Sequence, residues 1–236
     1  MTNDLILARR RTLSEVISDS FTFFFGAWSR FAAVVAPAVL VGIASSLLLD
    51  VFRDDVVATL VVTLLSLAVS YVFYQLCSAA AVAVLNAPGM GRMISSGDAL
   101  DLAQSRAGDI LGASLRSTAI VFLFAFTILG IPWAIKRGVQ WAFIIQSVMI
   151  DQQGGPTALA YSAALVRGRW WASFGRLLAS GFVIALPMGL LSQVLLTAIP
   201  GPGGIILSAT TNLVVFPIIM IATTLIFLDL KALKQM

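Results

Sequence analysis

Between Val56 and Leu85 the chain runs for 30 residues without one charged side chain. As a helix rising about 1.5 Å per residue, that run measures about 45 Å, against a hydrocarbon core of about 30 Å. Only a helix satisfies every backbone amide internally over such a stretch in lipid, so the run is read as a transmembrane helix that tilts or continues beyond the bilayer. Its Tyr71, Tyr74, Gln75 and Ser78 are the densest polar group within any span and are expected to face other helices. The whole chain agrees with this reading. Of its 236 residues 59% are hydrophobic and 11% charged, with a mean hydropathy of +0.99, whereas soluble domains carry about 25% charged residues.

Five further apolar runs are long enough to count as spans: Phe31–Leu49, Ser117–Ile131, Trp133–Ile150, Leu177–Ile199 and Ile205–Leu228. Pro37, Pro187 and Pro217 lie inside spans one, five and six, and Pro132 separates spans three and four. Before each pair of spans lies an amphipathic stretch. Thr12 and Glu15 form a capping-box pattern that starts a helix at Leu13, with Leu13, Ile17, Phe21, Phe24 and Trp28 on one stripe. Leu100, Ala103, Ala107, Ile110 and Leu111 form a second stripe, with Asp98, Asp101, Ser105 and Asp109 opposite. A third helix is expected to start near Pro156 and to carry Leu159, Ala163, Val166, Trp170 and Phe174 on one face.

The expected fold is therefore all-α: a single membrane domain over residues 1–236, with six transmembrane helices and three interfacial amphipathic helices. Surface helix, span, span recurs over residues 12–85, 96–150 and 156–228, which is read as a threefold internal repeat. Ser20, Gly26 and Trp28 match Ser162, Gly168 and Trp170 at equal spacing. Six spans put both termini on one side. Twelve basic residues fall on that side (Arg9, Arg10, Arg11, Arg30, Arg92, Arg106, Arg116, Arg167, Arg169, Arg176, Lys231 and Lys234), and only Arg53, Lys136 and Arg137 fall on the other. The positive-inside rule then makes the termini cytoplasmic in a cell (inner) membrane. Nothing in the first residues reads as a cleaved signal peptide, and the lone Cys77 is read as a packing residue.

The stretch Asp151–Arg176, DQQGGPTALAYSAALVRGRWWASFGR, joins a Gly-Gly-Pro turn, an amphipathic helix and a basic aromatic cluster. Trp170 and Trp171 suit the headgroup level as an aromatic belt, and Arg167, Arg169 and Arg176 suit anionic phosphates there. The partners implied are membrane phospholipids, with other membrane proteins or a second copy of the chain as further partners, and no nucleic acid. In its run from Trp141 to Phe174, notably Gly154, Gly155, Pro156, Tyr161, Ser162, Leu165 and the Val-Arg-Gly-Arg-Trp-Trp motif at 166–171, the chain resembles the glycerophosphoryl diester phosphodiesterase membrane-domain family. A weaker echo lies in Leu13, Ser20, Phe25, Gly26 and Trp28. The resemblance implies a multi-pass helical module. The hydrolytic chemistry in the family's name belongs to a separate soluble domain, so no catalytic residue is carried over.

Without histidine, the chain lacks Ser-His catalysis, His-liganded zinc and histidine proton relays. Asp50, Asp151 and Asp229 all sit at span ends, which removes a paired-aspartate protease and a mid-membrane carboxylate relay. No phosphate-binding loop is present, and Pro200–Gly204 reads as a turn. No catalytic residue, metal or cofactor is expected, and the chain is read as non-enzymatic. Lys136 and Arg137 remain the charges nearest a span interior. On one reading their stems snorkel to the outer interface; on the other they line a polar cavity with Gln140, Gln146 and Tyr71 and serve a small-solute or lipid transporter.

Overall fold

The computed structural model describes residues 11–88, 91 and 93–234, which leaves Arg9, Arg10 and Arg92 of the charge count outside the described residues. All regular structure among them is helical: α1 (Leu13–Gly26), α2 (Trp28–Val51), α3 (Val56–Asn86), α4 (Ser96–Ser105), α5 (Ala107–Ala125), a 3-10 turn (Ile128–Gly130), α6 (Ile131–Gln140), α7 (Ile144–Met149), α8 (Gly155–Val166), α9 (Trp170–Ala198), α10 (Pro202–Thr210) and α11 (Asn212–Lys234). Five stretches are long and apolar enough to cross a membrane: α2, α3, α5, α9 and the α10–α11 pair. Pro37 and Pro187 sit inside α2 and α9 as expected.

Local chemistry sets the helix ends. The Thr12 amide donates to Glu15 Oε2 at 2.7 Å and the Glu15 amide to Thr12 Oγ1 at 3.3 Å, completing the capping box of α1. Asp55 accepts from the Val57 and Ala58 amides to start α3, and Ser95 from the Asp98 amide to start α4. Between α8 and α9, Gly168 takes φ +83°, a left-handed turn that a side chain would strain.

Burial divides the long helices lengthwise. In α3 the half beginning at Val56 is exposed, with Val56, Leu60, Leu64 and Leu67 all more than half bare, whereas Cys77–Leu85 is entirely buried. That buried half is Ala-rich (Ala79, Ala80, Ala81, Ala83), and small side chains let neighbouring helices pack against it. α11 is buried over most of Phe216–Leu230, and α2 buries Phe31, Val34, Val35 and Val39. Together with α1, α4, α7 and α8 these segments make one core at the end of the bundle that holds α1 and the end of α11. Away from it, α2, α3, α5 and α9 present Leu40, Leu65, Phe122 and Phe182 outward. An apolar surface that continuous is far larger than a water-soluble monomer keeps and matches a lipid-facing belt.

Several expected boundaries move. The second amphipathic helix ends at Ser105, and span three begins at Ala107 and ends at Ala125, not at Ile131. Asp109, expected on a solvated face, accepts the Gly155 amide at 2.9 Å and so serves the first turn of α8. In α1 the buried line is Val16, Ser20 and Phe24; of the expected stripe Leu13, Ile17 and Phe21 are half-buried and Trp28 is exposed, because α1 packs on α11 and α9 with a different face. The expected spans four and six are interrupted, at Trp141–Phe143 and at Thr211. At the second break Thr210 and Thr211 hydroxyls donate to the Leu207 and Ser208 carbonyls, competing with the helical amides for those acceptors.

Candidate functional site

The interruption of span four organises the most polar interior of the bundle. α6 stops at Gln140 and α7 resumes at Ile144, which takes backbone groups out of the helical ladder. One hydroxyl from α8 repairs the gap. The Phe143 amide donates to Ser162 Oγ at 3.2 Å, and Ser162 Oγ donates to the Gln140 carbonyl at 2.7 Å. Irregular backbone is tolerated in such a setting only when protein groups satisfy it in this way. Ser162 is fully buried, as are Phe143 and Ser147, whose hydroxyl returns to the Phe143 carbonyl.

Beside the break lies a pocket of about 200 Å³, lined by Tyr74 and Gln75 of α3, Ser114 and Ser117 of α5, Gln146 of α7 and Thr223 of α11, among others. Gln146 is 2% exposed. Its Nε2 donates to Thr224 Oγ1 at 3.4 Å, while its Oε1 has no partner among the described residues. Thr224 Oγ1 already donates to the Met220 carbonyl at 2.8 Å, so rotating the Gln146 amide would not supply the missing donor. The lining of the pocket includes no charged side chain. Two larger spaces adjoin it. A groove of about 400 Å³ between α6, α9 and α11 shares Ala142, Met220 and Thr223 with the pocket. A cavity of about 440 Å³ between α2, α9, α10 and α11 shares Tyr74, whose ring stacks on Phe216 with centroids 4.6 Å apart.

Of the expected cavity residues only Gln146 lines the pocket. Lys136 and Arg137 are exposed, Lys136 Nζ lying 5.0 Å from the Trp133 ring centroid and the Arg137 guanidinium 5.3 Å from that of Trp141. Arg137 Nη1 donates to Gln140 Oε1 at 3.1 Å. Tyr71 shares a hydrogen bond of 3.1 Å with Thr118. The Trp170 indole N–H donates to the Lys136 carbonyl at 3.2 Å. That bond ties α6 to the start of α9.

The expected headgroup residues separate into two groups. Arg167, Arg169 and Trp171 are exposed around the α8–α9 break, and Trp170 stacks on Phe174 with centroids 5.2 Å apart. Arg176 turns inward, its Nη1 donating to Asp229 Oδ2 at 3.5 Å. Asp229 also accepts the Arg11 amide at 3.0 Å and Arg11 Nη1 at 3.2 Å, while Arg11 Nε reaches Asp19 at 2.9 Å. The Arg11 and Asp229 side chains are 0% and 1% exposed, so each charge lost from water is answered by a hydrogen-bonded partner. This knot, which joins the first described residue to the last helix, was not anticipated from sequence. Nearby Lys231 pairs with Asp151, and burial together with the Asp151 carboxylate pushes the Tyr161 phenol up to about 12.

An all-helical bundle with a bare apolar belt, five stretches of crossing length and polar groups gathered inside defines an integral membrane protein of several crossings. No known protein family, curated protein or solved structure matches the chain.

Proposed function

We propose that the chain is a non-catalytic, six-crossing membrane module whose basic face, at the end that carries both termini, binds anionic phospholipid. The observation that carries this reading is the exposed group Arg167, Arg169 and Trp171 at the α8–α9 break, next to the bare apolar length of α9. Cations flanked by an indole at the edge of an apolar belt are what a phosphate headgroup above its acyl chains would meet. On this reading the termini are cytoplasmic in a cell membrane, and α6 with α7 makes the sixth crossing despite its break. Three copies of one unit account for the order of elements: a short helix, a break (Ala27, Arg106, Arg167–Arg169), a long helix and a return. Kinship with the glycerophosphoryl diester phosphodiesterase membrane-domain family is part of the same proposal, resting on the residues of the 141–174 region, and it brings no catalytic group.

The test is native mass spectrometry of the protein released from nanodiscs of phosphatidylglycerol and phosphatidylcholine. At about 1 kcal/mol per basic residue near the surface, Arg167→Ala with Arg169→Ala lowers the preference for phosphatidylglycerol about thirtyfold. An unchanged preference would remove the reading. A second reading, a small-solute or lipid transporter, is favoured by one observation: the pocket at Gln146 and the cavity of about 440 Å³ both border Tyr74. Proteoliposome flux that disappears on Tyr74→Trp would favour it.

A further inference from the structure

We infer that the pocket at the α6–α7 break and the groove beside it form one binding site for a single-chain amphiphile with a neutral, hydroxyl-bearing head. The inference deepens the lipid-binding reading and rests on it, but it concerns a different surface from the arginines at the α8–α9 break.

The head is specified by the pocket. Gln75 and Ser114, 9% and 4% exposed, line the pocket with an amide and a hydroxyl that make no hydrogen bond among the described residues. A ligand O–H that donates to one of these groups and accepts from the other supplies the partners that they lack. The lining contains no Asp, Glu, Lys or Arg, so a phosphate, carboxylate or ammonium head would enter without a counter-charge, at a large desolvation cost. A water fills about 30 Å³ of liquid, so the pocket of about 200 Å³ admits a head of several heavy atoms, not a sugar chain.

The tail is specified by what adjoins the pocket. The groove beyond Ala142, Met220 and Thr223 continues over Gly138, Val139, Phe174, Leu177 and Leu178. It offers no charge and lies on the belt side of α9, where Leu178 is 58% exposed. A hydroxyl head in the pocket with one acyl chain in this groove meets each surface with its own chemistry. The broken turn makes the junction possible: because α6 ends at Gln140, Ala142 stands at the corner between pocket and groove.

The experiment measures binding of three probes with the same acyl chain to the full chain in nanodiscs: 1-oleoylglycerol, methyl oleate and 1-oleoyl lysophosphatidate. Native mass spectrometry gives the occupancies. The inference predicts that 1-oleoylglycerol binds at least about tenfold more tightly than methyl oleate, which has an ester head but no donor, and that lysophosphatidate binds no better than methyl oleate. Gln75→Leu removes the preference without lowering the melting temperature, since the Gln75 amide has no protein partner among the described residues to lose. Leu178→Trp, at an exposed position, fills the groove and weakens 1-oleoylglycerol and methyl oleate alike. Equal binding of 1-oleoylglycerol and methyl oleate, or a preference that survives Gln75→Leu, overturns the inference. If that happens while the phosphatidylglycerol preference still depends on Arg167 and Arg169, the module reading stands and this site falls. If lysophosphatidate outcompetes both neutral probes and the competition depends on Arg167 and Arg169, the amphiphile is bound at the basic face and this site is likewise overturned.

Discussion

Replacing Ser162 by Ala tests how the broken span is held. The substitution removes one oxygen that serves two buried backbone groups, the Phe143 amide at 3.2 Å and the Gln140 carbonyl at 2.7 Å. Ser162 is fully buried, so water does not readily take its place. Leaving a buried donor or acceptor unpaired costs about 1–3 kcal/mol, and two such groups that relax partly toward each other lose about 2–4 kcal/mol together. For a chain of this size a loss of about 1 kcal/mol lowers the melting temperature by about 2–4 °C, so a fall of about 5–15 °C is expected. Tryptophan fluorescence during heating in nanodiscs reads it, with Trp141 in the break itself as reporter. Amide exchange should rise at Phe143 and stay unchanged in the buried half of α3. A Ser162→Ala protein that melts within about 2 °C of the parent, with Phe143 still protected, would refute the argument that this hydroxyl holds the break.

Other outcomes follow from the same geometry. Asp229→Asn takes a carboxylate from the fully buried Arg11 and from Arg176, and should cost about 3–5 kcal/mol, read as a lower melting temperature; a neutral result would mean that the knot contributes nothing to stability. Because the Tyr161 phenol titrates at about 12 when folded and near 10 when unfolded, its contribution is fully present below pH 10 and is lost as pH rises from 10 to 12. Tyr161→Phe should remove that part of the alkaline loss in melting curves, and identical slopes for parent and variant would contradict it. Cys77, 1% exposed, should resist a membrane-permeant maleimide in the folded protein while a cysteine at Val56, 83% exposed beside the polar turn Asp54–Asp55, reacts, if the ends of α3 differ as described.

What was legible in the sequence was whatever depends on local composition. The uncharged run Val56–Leu85 is one helix, the capping residues Thr12 and Glu15 do cap α1, and Pro156 lies in the first turn of α8. What was not legible depends on partners distant in sequence. Hydropathy alone gives no reason for span four to stop at Gln140, since Trp141, Ala142 and Phe143 are as apolar as their neighbours; the break exists because Ser162, 22 residues on, supplies the hydrogen bonds. The stripe read on α1 missed Ser20, whose hydroxyl returns to the Val16 carbonyl at 2.6 Å and so is buried without penalty. Sequence spacing groups Arg176 with the headgroup arginines because it does not reveal Asp229, 53 residues away. Of the candidate cavity, the sequence points to Gln146 and to the polar cluster of Tyr74 and Gln75, but Ser114, Ser117 and Thr223 carry no signal that separates a pocket lining from ordinary helix packing.

The central claim is a multi-crossing module whose core end faces the cytoplasm, and side-specific cysteine labelling tests it most directly. In a Cys77→Ala background, single cysteines replace Asp54 and Pro200 at the far turns, and Ser105 and Arg167 at the core end, all exposed positions. A membrane-impermeant maleimide added to intact cells should label Asp54→Cys and Pro200→Cys alone, and Ser105→Cys and Arg167→Cys should react only in inverted vesicles. Labelling of all four from one side, or of Arg167→Cys from outside intact cells, would contradict the account.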